Sequence, residues 1–217
     1  MKNYTLSINM AMTIDGKVER PDGKWYGLSS RADKARMDMY RSQNEILILG
    51  KNSIINDNPV IHLRYAEGEE PLPVILIRKG TIPETNYIFT KSKKKPLILT
   101  TSTCFSEISQ NLHTLANIEI IGENDISPKD VVQFLLDKGY SRILLEGGPT
   151  LNDSFFRNNL VTTIYLTIVP FLIGQKNLSG ISSGISNLEG FDAKKWKLEN
   201  VEQIQDELFL KYEKISE

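Results

Sequence analysis

Residues 143–151 read Ile143-Leu144-Leu145-Glu146-Gly147-Gly148-Pro149-Thr150-Leu151. The apolar run 143–145 has the length and composition of a buried strand. It ends in a carboxylate and two glycines, and Pro149 then opens a helix that runs through Phe156. Glycine lets backbone approach a ligand closely. Proline in the first helical turn leaves neighbouring N–H groups pointing outward, where the helix dipole favours an anion. Strand, Gly-Gly and helix start together have the form of a phosphate cradle. The same pattern also serves as an ordinary tight βα turn, and this stretch alone does not separate the two.

A second stretch shifts the balance. Residues 46–49, Ile-Leu-Ile-Leu, form another apolar strand running into Gly50 and then a polar segment, Lys51-Asn52-Ser53-Ile54-Ile55-Asn56-Asp57-Asn58-Pro59, that reaches Arg64. Two strands that end in glycine-marked loops suggest one shared crevice at the carboxyl ends of a parallel sheet, where such folds bind ligands.

Working outward, residues 6–12 read as a buried first strand turned by Asp15-Gly16. Ser29 or Ser30 caps a helix through about Gln43, with Ala32, Ala35 and Met39 as its apolar face. A short helical turn near 53–56 is stopped by Asn58-Pro59. Residues 73–77, 97–100 and 118–121 are apolar runs of strand length. Ser127-Pro128 with Asp130 starts a helix whose apolar face is Val131, Phe134 and Leu135 and which Gly139 ends. Residues 161–169 are a long β-branched strand closed by Pro170, and 196–203 with 207–213 form an antiparallel hairpin. This order predicts a three-layer α/β domain with a mainly parallel central sheet, the whole of 1–217 as a single domain. Residues 174–190, rich in Gly, Ser and Asn, are expected to form a loop over or beside the crevice.

Composition excludes several classes. The chain has 217 residues, 40% hydrophobic and 24% charged, with net charge -1 and pI 6.2. That is one substantial core without the basic footprint of a nucleic-acid binder. The basic cluster Lys91 and Lys93-Lys94-Lys95 is read as a solvated turn that blunts a sheet edge. No run approaches the roughly 18 apolar residues of a membrane span, and no signal region opens the chain, so a cytoplasmic location is expected. Cys104 is the only cysteine, and His62 and His113 stand far apart, so neither a disulfide nor a metal site is expected.

Taken together, the segments resemble the reductase of riboflavin biosynthesis, a member of the dihydrofolate-reductase-like fold. The residues that carry this are Ala11-Met12-Thr13-Ile14-Asp15-Gly16-Lys17, Gly50 with Ser53 to Pro59 and Arg64, Leu144 to Leu151, Leu160-Val161, Val169-Pro170 and Leu172-Ile173-Gly174. They recur in the family's order and spacing over nearly the whole chain. The zinc deaminase that often precedes this reductase needs His-x-Glu and Pro-Cys-x-x-Cys motifs, which are not present. The resemblance implies an NADPH-dependent reduction of a ribosylaminopyrimidine 5′-phosphate to the ribitylamino compound, with hydride reaching C1′ as an imine is reduced. It further implies a homodimer.

Matching positions imply that Ala11 (through its backbone), Ser53, Asp57 and the loop Gly147, Gly148, Pro149, Thr150 and Leu151 contact NADPH. Arg41, Ile61, Arg64 and Glu146 would line the substrate side, the arginines suited to a phosphate. Asp57 is also the candidate proton donor. Arg78 and Lys79, after a strand, are read either as cations for the 2′-phosphate of NADPH or as a charged strand end. Alternatives stand beside the others: Asp57 as a turn cap, Glu146 as a rim carboxylate, and Arg41 as neutralising Glu45 or the helix C-terminus. Asp15 shapes the turn after the first strand, while Trp25 and Tyr26 either stack on a heterocycle or pack a lid. The chain departs from the family's pattern at Ser53, at Arg78-Lys79, at Trp25 and at Thr162-Thr163. A same-fold reductase of another substrate, such as a pterin, and a non-catalytic NADPH-binding protein remain the competing readings.

Overall fold

The computed structural model describes residues 3–23, 28–183 and 196–215. In chain order its elements are β1 (Thr5–Thr13), α1 (Arg31–Gln43), β2 (Ile46–Gly50), α2 (Lys51–Asp57), β3 (Leu72–Ile77), α3 (Tyr87–Thr90), β4 (Leu97–Thr101), α4 (Ser102–Leu112), β5 (Asn117–Gly122), α5 (Pro128–Asp137), β6 (Arg142–Leu145), α6 (Pro149–Arg157), β7 (Thr163–Val169), β8 (Trp196–Ile204) and β9 (Glu207–Lys214). One nine-stranded sheet runs in the order β5-β4-β3-β2-β6-β1-β7-β9-β8. Strands β1 to β7 are parallel to one another, and β9 pairs antiparallel with β7 and β8. The expected mainly parallel α/β sheet with a C-terminal hairpin is present.

Strands β2, β3 and β6 at the centre of the sheet are almost wholly apolar because both faces are covered. Their residues alternate between two cores with period two. Ile46, Ile48, Leu97, Leu99, Ile143 and Leu145 pack with α5 and with Phe155 of α6. Leu47, Leu49, Ile98 and Leu144 pack on the other side with Tyr40 of α1, Ile54 of α2 and Ile108 of α4. Each such side chain, withdrawn fully from water, contributes about 1.5–3 kcal/mol against the cost of ordering the chain.

Two helices were not foreseen. α4 reads Ser-Thr-Cys-Phe-Ser-Glu-Ile-Ser-Gln-Asn-Leu and buries only Ile108 and Leu112, so its apolar signal is two residues one turn apart in a run of weak helix formers. α3 is a single turn. Cys104 lies in α4, half-buried, and its thiol donates to the carbonyl of Arg78 (3.0 Å). The lysine cluster does not blunt an edge, since β4 lies inside the sheet. Lys93 and Lys94 pair instead with Glu70 and Glu69.

The last parallel strand begins two residues later than expected. The Thr162 hydroxyl accepts from the amide of Leu6 (3.0 Å) and lies 3.1 Å from its carbonyl, fixing the entry of β7 beside β1. No helix among the described residues is long and apolar enough to cross a membrane.

Candidate functional site

The chain lays down β1, then β2 through β5 in one direction, and only then inserts β6 between β2 and β1. A reversal of this kind leaves a crevice at the carboxyl ends of the strands. Here it is a cleft of about 1750 Å³, larger than the several hundred cubic ångströms typical for one small ligand. Strand β6 ends at Leu145, paired with Ile8, whereas β1 continues to Thr13. The β6-side edge of β1 beyond Ile8 therefore opens into the cleft, and Asn9, Met10 and Ala11 line it.

One wall is the 147–151 turn. Gly148 is the N-cap of α6, no side chain caps the helix, and Pro149 follows. The first-turn amides thus stand at the positive end of the helix dipole without a side-chain acceptor. The glycines are required by close approach. A Cβ on Gly147 would come within 2.6 Å of Leu151 Cδ2, and one on Gly148 within 3.2 Å of Ser53 Oγ. Gly148 itself has φ −68°, so no left-handed backbone is involved. Ser53 sits on α2 opposite the turn, so Gly50, Ser53, Gly148 and Leu151 form one packed corner. Helix α2 closes at Asn58, whose φ of 43° is left-handed. The Asn58 side-chain oxygen accepts from Asn86 Nδ2 (3.2 Å) and from the amide of Tyr87 (2.7 Å).

The opposite wall is α1. Arg41 is 4% exposed and forks onto Glu146: Nε donates to Oε1 (3.0 Å) and Nη2 to Oε2 (2.6 Å). Burial drives the guanidinium toward neutrality, but Glu146 and Asp38 more than offset this and hold its proton more firmly than usual. Arg41 Nη1 lies 3.9 Å from Asp38 Oδ1. Asp38 is fully buried, and its Oδ2 accepts from the amides of Arg64 (2.6 Å) and Tyr65 (3.0 Å). A chain of charge therefore joins the end of β6, the helix α1 and the loop that carries Arg64. Glu45 is not the partner of Arg41: it accepts from the amides of Ser141 and Arg142 instead, which lowers its pKa.

Of the residues singled out in the sequence, Ala11, Arg41, Ser53, Asp57, Arg64, Arg78, Glu146 and the 147–151 turn all line the same cleft, and so does Lys79. Asp57 is the exposed last residue of α2. Arg64 is partly exposed, its guanidinium 5.5 Å above the Tyr65 ring. Arg78 stands on the rim paired with Asp125 (3.1 Å), whose pKa is lowered first by the amide of Ile126 and then by Arg78. Ile61 is placed differently: its side chain is 1% exposed in the core shared with Tyr40 and Ile54, away from the lining. Trp25 and Tyr26 lie outside the described residues.

Asp15 does shape its turn and reaches further. Its carboxylate accepts from the Thr13 hydroxyl (2.6 Å) and from the amide of Gly174 (2.8 Å), which bring its pKa down to about 2. The described part of the serine-rich loop lies beside the cleft. The amide of Ser183 donates to the Pro149 carbonyl (3.2 Å), and Ser179 and Ser183 are in the lining. Residues 184–190 lie outside the described residues.

Two cleft residues of α1, Asp33 and Met37, escaped the sequence reading, although their neighbour Arg41 did not. Asp33, Met37 and Arg41 recur every fourth residue and all line the cleft, while Asp38 lies buried beside them. The available signal was an aspartate, Asp38, in mid-helix three residues before an arginine, against the faint apolar face of Ala32, Ala35 and Met39. The buried residues of α1 are in fact Asp38, Tyr40 and Arg41. The helix faces a polar cleft as well as a core, which is why an apolar stripe misleads here.

Known proteins share this architecture. The chain is 26% identical over 214 residues to 2,5-diamino-6-ribosylamino-4(3H)-pyrimidinone 5′-phosphate reductase of Archaeoglobus fulgidus, covering 94% of both chains. It is 25% identical to the riboflavin biosynthesis protein RibD of Actinobacillus pleuropneumoniae over 95% of its own length but only 56% of the relative's. Its fold matches the Thermotoga maritima diaminohydroxyphosphoribosylaminopyrimidine deaminase/5-amino-6-(5-phosphoribosylamino)uracil reductase with a TM-score of 0.83 at 20% identity. That match covers 99% of this chain and 57% of the other. The family model of the RibD C-terminal domain matches residues 4–210. With its cradle, its charged wall and its sheet order in place, the chain belongs to the RibD C-terminal domain family.

Proposed function

We propose that the protein is an NADPH-dependent reductase that converts a ribosylaminopyrimidine 5′-phosphate to its ribitylamino product in riboflavin biosynthesis. One observation carries this reading: the uncapped, glycine-lined start of α6 and the buried Arg41–Glu146 pair face the same cleft. The first suits a pyrophosphate, and the second gives a fixed polar wall for a substrate. The names borne by the Archaeoglobus and Actinobacillus relatives support the pathway.

The residues fit such a cofactor. A Cβ at Gly147 would collide with Leu151 and one at Gly148 would press on Ser53 Oγ, so glycines alone let this turn lie close against α2 with its amides bare of side chains. In this reading Gly147, Gly148, Pro149, Thr150 and Leu151 hold the pyrophosphate together with Ser53. The open edge of β1 at Ala11 and the carboxylate of Asp57 face the nicotinamide. Arg78 and Lys79, with Lys51 beside them (its Nζ 2.6 Å from the Lys79 carbonyl), meet the 2′-phosphate, Arg78 leaving Asp125 to do so. Arg64, the more exposed arginine, takes the substrate phosphate. Arg41 is committed to Glu146 and orients that carboxylate toward the substrate. The cofactor supplies hydride. The protein holds C1′ of the ring-opened sugar in reach, excludes water, and delivers a proton to the imine nitrogen from Asp57, a contribution of about 10²–10⁴-fold for a positioned acid.

The test is loss of NADPH absorbance with purified protein and the ribosylaminopyrimidine 5′-phosphate, with dihydrofolate as the parallel substrate. Consumption of NADPH with the pyrimidine alone is expected. Turnover of dihydrofolate instead would move the assignment to another substrate, and no turnover of either would remove it.

A further inference from the structure

The loop that carries Arg64 joins α2 to β3 with little of its own to hold it. Among the described residues, 59–71 form no backbone-to-backbone hydrogen bond, so neither a helix nor a sheet ladder fixes the place of Arg64. Ile61 anchors the start of the loop in the core. Beyond it the amides of Arg64 and Tyr65 both donate to Oδ2 of Asp38, at 2.6 and 3.0 Å. Asp38 is 0% exposed and lies behind the cleft lining rather than in it. Its second oxygen, Oδ1, is buried without a hydrogen bond and faces Arg41 Nη1 at 3.9 Å. Arg64 Nε stands 3.9 Å from Oδ2, beyond hydrogen-bonding reach, and its side chain is 39% exposed and lines the cleft. A buried carboxylate is costly to desolvate, and this one spends its bonds on the backbone of a loop.

We propose that Asp38 is a positioning residue: by fixing the backbone at Arg64 and Tyr65 it presents the Arg64 guanidinium to the 5′-phosphate of the ligand. The proposal rests on the reductase reading above, which gives Arg64 that phosphate. Charge alone would act the opposite way. A carboxylate 3.9 Å from Arg64 offsets part of the cation and repels a dianion, so a residue acting only through its charge would weaken phosphate binding. Preorganisation strengthens it, since an arginine on a loop that must first be ordered binds less tightly. Arg41 meets the Asp38 charge in the interior, which leaves Arg64 with the anchor and only a remainder of the repulsion. A charge-assisted hydrogen bond from a held guanidinium to a phosphate corresponds to about 10- to 100-fold in affinity.

The experiment is calorimetric titration, with NADP⁺ present, of the ribosylaminopyrimidine 5′-phosphate and of the same compound without its phosphate. The proteins are wild type, Asp38→Asn, Asp38→Ala, Arg64→Ala and the double variant Asp38→Asn with Arg64→Ala. Wild type should favour the phosphorylated ligand by about 10- to 100-fold. Asp38→Ala leaves both amides without an acceptor and should bring that factor near one. Asp38→Asn, whose side-chain oxygen still accepts, should retain only part of it. Both variants should bind the unphosphorylated compound as wild type does, which a general loosening of the fold would not spare. With Arg64→Ala in place, Asp38→Asn should change nothing further. Should Asp38→Ala fail to fold, the cycle of Asp38→Asn and Arg64→Ala decides alone. An unchanged or raised factor in Asp38→Asn, an equal loss for both ligands, or binding of neither by wild type would overturn the proposal. A phosphate-dependent loss in these variants without any NADPH oxidation by wild type would leave it standing and remove the reductase reading. NADPH oxidation with a factor indifferent to Asp38 would do the reverse.

Discussion

Arg41 answers to two carboxylates, and its removal would leave Glu146 without a cation and Asp38 with only Arg64, 3.9 Å away. Arg41→Met should therefore lower stability by about 3–5 kcal/mol, read as a fall in the urea midpoint at constant slope. Glu146→Gln added to Arg41→Met should recover part of that loss. Strictly additive effects would show that the pair is not coupled in the folded protein. Asp33 makes the opposite prediction. Its pKa is raised in the folded state, so the stability it contributes is full below its unfolded value and is lost as pH rises through the raised one. Asp33→Asn should melt at a higher temperature than wild type near neutral pH, and the gap should close on acidification toward about pH 4. A constant gap across that range would mean that Asp33 titrates normally. At this scale Glu146 and the two glycines were legible because a strand end followed by Gly-Gly restricts what can follow. Asp33 and Asp38 were not, because a helix that walls a polar cleft hides its working face from any search for apolar spacing.

The corner of α2 and the start of α6 is a contact between two elements, and its tolerance is set by one distance. A Cβ on Gly148 would stand 3.2 Å from Ser53 Oγ, so Gly148→Ala requires the hydroxyl to shift and Gly148→Val requires the helices to part. We expect Gly148→Val to stay folded by circular dichroism yet lose NADPH binding in fluorescence titration. Ser53→Ala should restore part of the affinity of Gly148→Ala. Undiminished binding by Gly148→Val would reduce the cradle to a structural turn. Elements with long apolar runs or a strong helix start, such as β2, β6 and α5, were legible to within a residue or two. α4 was not, since its two buried residues carry too little pattern, and the length of α2 was underestimated because Lys51-Asn52 looks like loop.

For the whole molecule, the hairpin of β8 and β9 leaves β8 as an edge, and a register shift between Leu198 and Asn200 puts Leu198 opposite Tyr212 and Val201 opposite Leu210 on one face. Leu198 and Val201 are about half exposed there. Two exposed apolar side chains on the face of an edge strand offer a seat for a second copy of the chain. We expect a dimer by light scattering, and Leu198→Lys with Val201→Lys should give monomer. A wild-type monomer at micromolar concentration would exclude this face.

Strand order has a last consequence, in the time domain of synthesis. β1 emerges first, yet both of its sheet neighbours, β6 and β7, lie beyond residue 140. The whole stretch from β2 to α5 must therefore be made while Leu6 and Ile8 have nowhere to pair, and the cleft cannot exist until its central strand is threaded between two already made. Such sequence-distant pairing makes folding slow and late. A nascent chain halted before Arg142 should be held by chaperones or degraded, whereas one released after β9 has been made should show a single cooperative acquisition of protease resistance.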